Sequence, residues 1–165
     1  MIRKFIEKRK ARRALDKLLS LENVENVLRD GIGPTQHRRG RIEFVVIFIR
    51  GQSPDEISKR ISHVSGLARV HGAMIDHIVG ALVTVTFGVP PALAEPGAHL
   101  RLVQSLQQEL GGDIKIVHGA ANGHYGIFGE NPYSYTFLVP QFDQVLGKLS
   151  QLEFGEATEF MPQGQ

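Results

Sequence analysis

Along this chain the apolar positions switch between a helical period and a strand period, and each switch marks an element. Ile2, Phe5, Ile6, Ala14, Leu15, Leu18 and Leu19 recur at helical spacing with Lys and Arg between them, which predicts an amphipathic helix from Ile2 to about Leu21. Asp30 to Gly40, with Gly31, Gly33 and Pro34, reads as a loop. Ile42 to Arg50, IEFVVIFIR, is apolar almost throughout, the pattern of a central strand covered on both faces. Ser53-Pro54-Asp55-Glu56 then supplies a helix start: a Ser cap, Pro at the first helical position and Glu to complete a capping box. Ile57, Ile61, Val64 and Ala68 line one face of that helix, and Gly72 marks its stop.

Two strands follow, Ala73 to Ile78 and Ala81 to Phe87, joined around Val79-Gly80. In the second, Val83, Val85 and Phe87 alternate with Leu82, Thr84 and Thr86, so one face is more polar. Gly88 to Gly97 reads as a loop, and Ala98 to Leu110 returns to helical spacing through Leu100, Val103 and Leu106 before Gly111-Gly112. Ile114 to Ala121 predicts a strand running into a loop dense in glycine, with Tyr125 to Phe128 as its returning partner. Tyr133 to Val139 predicts another strand, and Phe142, Val145, Leu146, Leu149 and Leu152 a last helix. Phe154 to Phe160 has the character of an edge strand.

This order, strand–helix–strand–strand–helix–strand and then a strand and a helix, is the ferredoxin-like (split βαβ) pattern of an α+β domain. It predicts a mostly antiparallel sheet with helices on one face. The chain divides into a basic helix and linker over 1–40, the domain over 41–160 and a frayed tail over 161–165. A sheet face left bare would serve as a dimer or binding surface.

Composition narrows the chemistry. The 165 residues suit one domain, and the absence of cysteine excludes a disulfide framework, a thiolate metal site and a cysteine nucleophile. No apolar run approaches the ~20 residues of a membrane span, and charges break the N-terminal MIRKFIEKRKARR, so a cytoplasmic location is expected. The net charge of +2 is unevenly spread: Arg3, Lys4, Lys8, Arg9, Lys10, Arg12 and Arg13 crowd the first helix, and Arg38, Arg39 and Arg41 form a second cluster. Such a helix suits an anionic membrane or nucleic acid. A solvated outer face is the plainer reading, because no nucleic-acid motif accompanies the charges.

The remaining motifs mostly exclude. His37, His63, His71, His77, His99, His118 and His124 show no HxH or HExxH spacing, so neither a metal nor another cofactor is expected. The glycines at 119, 123, 126 and 129 lead into an extended run rather than a helix, which favours close backbone packing over a phosphate loop. No G-x-S-x-G elbow is present.

From Arg38 to Leu152 the chain resembles the nucleotidyl cyclase catalytic domains, which form cyclic AMP or cyclic GMP. The resemblance rests on Ile42–Gly51, on IVGALVTVTFG at Ile78–Gly88, on IKIVHGAANGHYGIFG at Ile114–Gly129, and on Tyr135-Thr136-Phe137-Leu138-Val139 before a helix. It implies a two-metal reaction in which the ribose 3′-oxygen attacks the α-phosphate, with metals held by two aspartates. Those positions fall at Phe48 and Ala81, whose side chains offer no oxygen. The base-reading lysine corresponds to His77 and its aspartate partner to Ser134. The ribose-binding asparagine and the transition-state arginine fall near Asp143 or Gln144 and near Gly147 or Lys148. The resemblance therefore implies a catalytically degenerate domain, a homodimer, that acts by dimerising or by holding nucleotide or another small ligand in a remnant cleft near His77, Asn122, His124, Ser134, Tyr135 and Lys148. A divergent active cyclase would need Asp76 or Asp113 in the metal role.

Overall fold

The computed structural model describes residues 37–89, 95–128 and 134–162. The basic helix, with Arg3, Lys4, Lys8, Arg9, Lys10, Arg12 and Arg13, lies outside the described residues.

The apolar run around Ile42 does become the central strand, and it starts earlier than its hydrophobicity suggests. Strand β1 spans His37–Ile49, taking in residues expected to be loop. Helix α1, Pro54–Val70, begins at the Ser53 cap, whose hydroxyl accepts from the Glu56 N–H at 3.2 Å. Glu56 reaches back one residue further than a capping box requires, to the Gln52 N–H at 2.8 Å. Gly72, at φ +76°, ends the helix in a conformation that favours glycine.

Strands β2 (Met74–Val79) and β3 (Leu82–Phe87) form the expected hairpin, followed by helix α2 (Ala98–Leu110) and a single 3₁₀ turn at Gly111–Asp113. The glycine-rich stretch is a correction. It is neither a loop nor a hairpin but one strand of 15 residues, β4, Ile114–Phe128. Tyr125–Phe128 therefore belongs to the same strand as Ile114–Ala121. Its partners are β1, which pairs with it antiparallel along its entire length, and β5 (Ser134–Leu138). Helix α3 (Phe142–Gln151) and strand β6 (Ala157–Phe160) complete the domain.

The sheet order is β2-β3-β1-β4-β5, with β6 added parallel to β4. All other pairings are antiparallel. The alternation along β1 divides the core. Val45, Ile47 and Ile49 pack with Val64, Ala68, Leu102 and Leu106 of α1 and α2. Ile42, Phe44 and Val46 face the other way, toward Phe137, Val145, Leu149 and Phe160. The two long helices thus share one face, and the short α3 covers part of the opposite one. None of the described helices is long and apolar enough to cross a membrane.

One polar knot lies inside the first layer. Gly97, the residue before α2, has no side-chain cap of its own. Its N–H donates instead to both carboxylate oxygens of Glu43 on β1, at 2.8 and 3.1 Å, and His99 Nδ1 bonds the same carboxylate at 2.7 Å. Burial alone would raise the Glu43 pKa, but the Gly97 N–H and the His99 ring outweigh it and hold the carboxyl below its ordinary range. The His118 ring packs against His99 with centroids 5.4 Å apart. Burial, and then His99, push its pKa down against the pull of Glu159.

The glycines of β4 do carry close approaches. A Cβ at Gly119 would stand 2.6 Å from the Phe160 carbonyl oxygen, and one at Gly123 would stand 2.5 Å from that of Leu138. Both obstacles are backbone, which cannot turn aside as a flexible side chain would. Gly119→Ala and Gly123→Ala should each cost about 1–3 kcal/mol. Gly66→Ala, in an exposed part of α1 with nothing within 4 Å of its added Cβ, should stabilise by about 1 kcal/mol. Urea unfolding midpoints check this ordering, and equal effects at all three positions would contradict it.

Candidate functional site

The outer strands β2 and β5 stand at opposite ends of the sheet order, yet they meet. Thr136 on β5 donates its hydroxyl to Asp76 Oδ2 on β2 at 3.1 Å. The sheet must therefore curl until its two edges face each other. Between them lies a cleft of 410 Å³, within the range of small-molecule sites. Asp76, His77, Thr84 and Thr136 supply its polar groups, and Leu82, Phe137, Val139 and Phe142 much of its apolar wall.

Local sequence explains how two neighbouring polar residues come to line one cleft. The β2–β3 register shifts between Ile75 and His77, so Asp76 is the extra residue of a β-bulge. In a regular strand neighbours point to opposite faces; a bulge re-aims one of them. The His77 ring Nδ1 bonds the Asp76 carboxylate. Asp76 is 5 % exposed, and its Oδ1 has no hydrogen-bond partner. Burial raises its pKa, opposed by the charge and hydrogen bond of His77, then by Thr136 and the Phe137 amide.

The candidate metal positions come together without becoming a metal site. Ile49 N–H donates to Ala81 O at 3.0 Å, which joins the end of β1 to the turn before β3. Phe48 is partly exposed, with its ring 6.3 Å from that of Phe154. The Lys115 ammonium stands 5.6 Å from the Phe48 ring centre and donates to Leu152 O at 3.2 Å. An aromatic ring, a methyl group and a fixed positive charge do not fit a hard divalent cation, which takes oxygen ligands. Asp113 is engaged by Arg60 at 2.9 Å and stands 3.6 Å from Arg50. Among the described residues no group of three or more His, Asp or Glu side chains is placed to hold a metal.

The remaining expected site residues scatter. His77 lines the cleft. Asn122 and His124 are exposed on β4, paired in register with Arg41 and Arg39, and neither lines it. Lys148 donates to Glu159 O at 3.2 Å and lies over the Phe160 ring, away from His77. The side chains of Ser134 and Tyr135 lie outside the described ones. Sequence reasoning missed Thr136 and the role of Asp76. Thr136 stands two residues from Ser134, and strand periodicity alone offers both.

No family model matches the chain, and no curated protein matches it. Solved structures do. The adenylyl cyclase CyaB from P. aeruginosa is 20 % identical, over 75 % of this chain and 78 % of that chain, with a TM-score of 0.58. The guanylate cyclase domain of RhGC from Catenaria anguillulae, solved in complex with GTP, is 10 % identical over 76 % of this chain and 80 % of that chain, at TM-score 0.62. The fold is that of the nucleotidyl cyclase catalytic domains. What this cyclase-like domain shares with them is the fold; Phe48 and Ala81 are the residues that the resemblance in sequence sets at the expected metal positions.

Asp76 gives the site a pH signature. A raised carboxyl pKa means the native state binds this proton more tightly than the unfolded chain does. Its contribution to stability is then full below the ordinary value of 3.8 and is lost as pH rises through the raised value. Asp76→Asn should therefore gain stability relative to wild type as pH increases across that window, in urea titrations from about pH 3 to about pH 8. A difference that stays constant over the range would contradict the raised pKa.

Proposed function

We propose that this chain is a cyclase-like domain without cyclase activity, acting by binding a small ligand in the β2–β5 cleft and by pairing with a second copy. The observation that carries the loss of activity is the pair Phe48 and Ala81. They stand near each other at the β1 end and the hairpin turn, and among the described residues no carboxylate stands in for them. The two acids expected to substitute in an active cyclase are otherwise committed, Asp76 to His77 and Thr136, Asp113 to Arg60. The cleft supports the ligand reading, since its polar groups converge on one carboxylate. Nucleotide is the first ligand to try, because a protein of the same fold was solved with GTP.

Pairing has two supports. Ile78, Val79 and Leu138 are exposed apolar residues, and Val79 and Leu138 stand at the cleft. A fungal guanylyl cyclase domain of the same fold is described as dimeric.

Purified protein incubated with ATP or GTP and Mn²⁺ should form no cyclic product, and product formation would overturn the reading. A rise in melting temperature with nucleotide would support the cleft as a nucleotide site. Absence of a shift would leave pairing as the role, read by sedimentation. A monomer at micromolar concentration would then remove that role too.

A further inference from the structure

Within the cleft one atom stands out chemically. Asp76 Oδ2 is shared by His77 Nδ1 and Thr136 Oγ1, so it is satisfied from both sides. Asp76 Oδ1 is buried and has no hydrogen-bond partner, the Phe137 amide being the weakest of the groups that favour the ionised carboxylate. A buried acceptor without a donor costs about 1–3 kcal/mol, and more for a charged group. Natural structures keep such an atom where something else completes it.

The surroundings restrict what can do so. The Asp76 side chain is only 2 % exposed, and the walls beside it are Leu82, Phe137, Val139 and Phe142. Phe137 and Phe142 meet edge to face, with centroids 5.9 Å apart and planes at 87°. Aromatic faces attract cations as well as ring-sized apolar bodies. Among the described residues that line the cleft there is no Lys or Arg to offer a phosphate a fixed positive charge. A buried carboxylate in an apolar box is best matched by a donor carrying positive charge.

We infer that the cleft takes a small molecule with an apolar, ring-sized body and a protonated amine, the amine bonding to Asp76 Oδ1. The β-bulge serves this purpose directly, since it turns Asp76 inward beside His77. His77 and Thr136 hold the second oxygen, fixing the carboxylate plane. The amine completes the carboxylate, and the aromatic pair takes the ring. This assignment rests on reading the domain as a ligand-binding module and names the chemistry of the ligand.

The probe is benzylamine, compared with benzyl alcohol, which has the same ring and no charge. Both are titrated into ¹⁵N-labelled full-length protein at about pH 8, where an alkylammonium keeps its proton. Amide shifts should map to Asp76, Thr136 and Phe137. Benzylamine should bind about tenfold or more tighter than the alcohol, the difference expected of a charged hydrogen bond. In Asp76→Asn that preference should vanish. Val79→Trp, at an exposed position lining the cleft, should weaken both probes without depending on the carboxylate. Equal affinities in the wild type, a preference that survives Asp76→Asn, or binding untouched by Val79→Trp would each overturn the assignment. Benzylamine has neither ribose nor phosphate, so its result is separate from the nucleotide result. A nucleotide-induced shift without any benzylamine response would sink the amine assignment and leave the broader ligand-binding reading standing.

Discussion

Strand β4 has to run past two other backbones with nothing in the way, and the rest of the domain depends on that clearance. One edge of β4 is zipped to all of β1. The other edge is divided, with β6 alongside Ile116–Gly119 and β5 alongside His124–Phe128. The ends of those two strands bring the Phe160 and Leu138 carbonyls against the strand where Gly119 and Gly123 lie. A side chain at either place would push a strand outward. Phe160, Phe137 and Phe142 would then lose their contacts in the second core layer, where Phe44 packs against both Phe160 and Phe142. The cleft would open with them, because Thr136, Phe137 and Leu138 form one of its walls.

Two buried carboxylates show how differently the same chemical group is used. Glu43 receives backbone and histidine donors on both oxygens and stays ionised below its ordinary range. Its charge is spent on holding a helix in place. Asp76 has donors on one oxygen only, and burial pushes its pKa the other way. One carboxylate is complete within the chain and the other is not. The incomplete one lies in a cleft and the complete one in the core, which is how structural and binding groups separate physically.

Much of the architecture was legible because local and global signals agree. The run IEFVVIFIR is covered on both faces, Ser53 caps α1 through the Glu56 N–H, and Val83, Val85 and Phe87 share the α-helical side of β3. The cyclase-like fold could be read from four segments in order. The glycine-rich strand could not. Glycine density ordinarily signals a turn, and here it answers to carbonyls of Leu138 and Phe160, which sequence spacing does not reveal. That Phe48 and Ala81 stand where the resemblance expects acids could be read residue by residue. The cleft was not, because it needs the bulge at Asp76 and the curl that carries β5 to β2, both tertiary facts. Asn122, His124 and Lys148 were drawn in by polarity near the glycine run or by position in the last helix, and the register sends each elsewhere.

The hold of Glu43 on Gly97 has a consequence for how the chain assembles. Helix α1 carries its own start signal, Ser53, Pro54 and Glu56, within four residues of sequence. Helix α2 carries none: Gly97 lacks a side-chain cap, and no acid sits in the first turn. The group that answers the N–H of its cap residue, Gly97, lies 54 residues upstream, on the central strand. The start of α2 is thus written in part on β1. A helix whose cap is held by another element is placed by its destination as well as by its own residues.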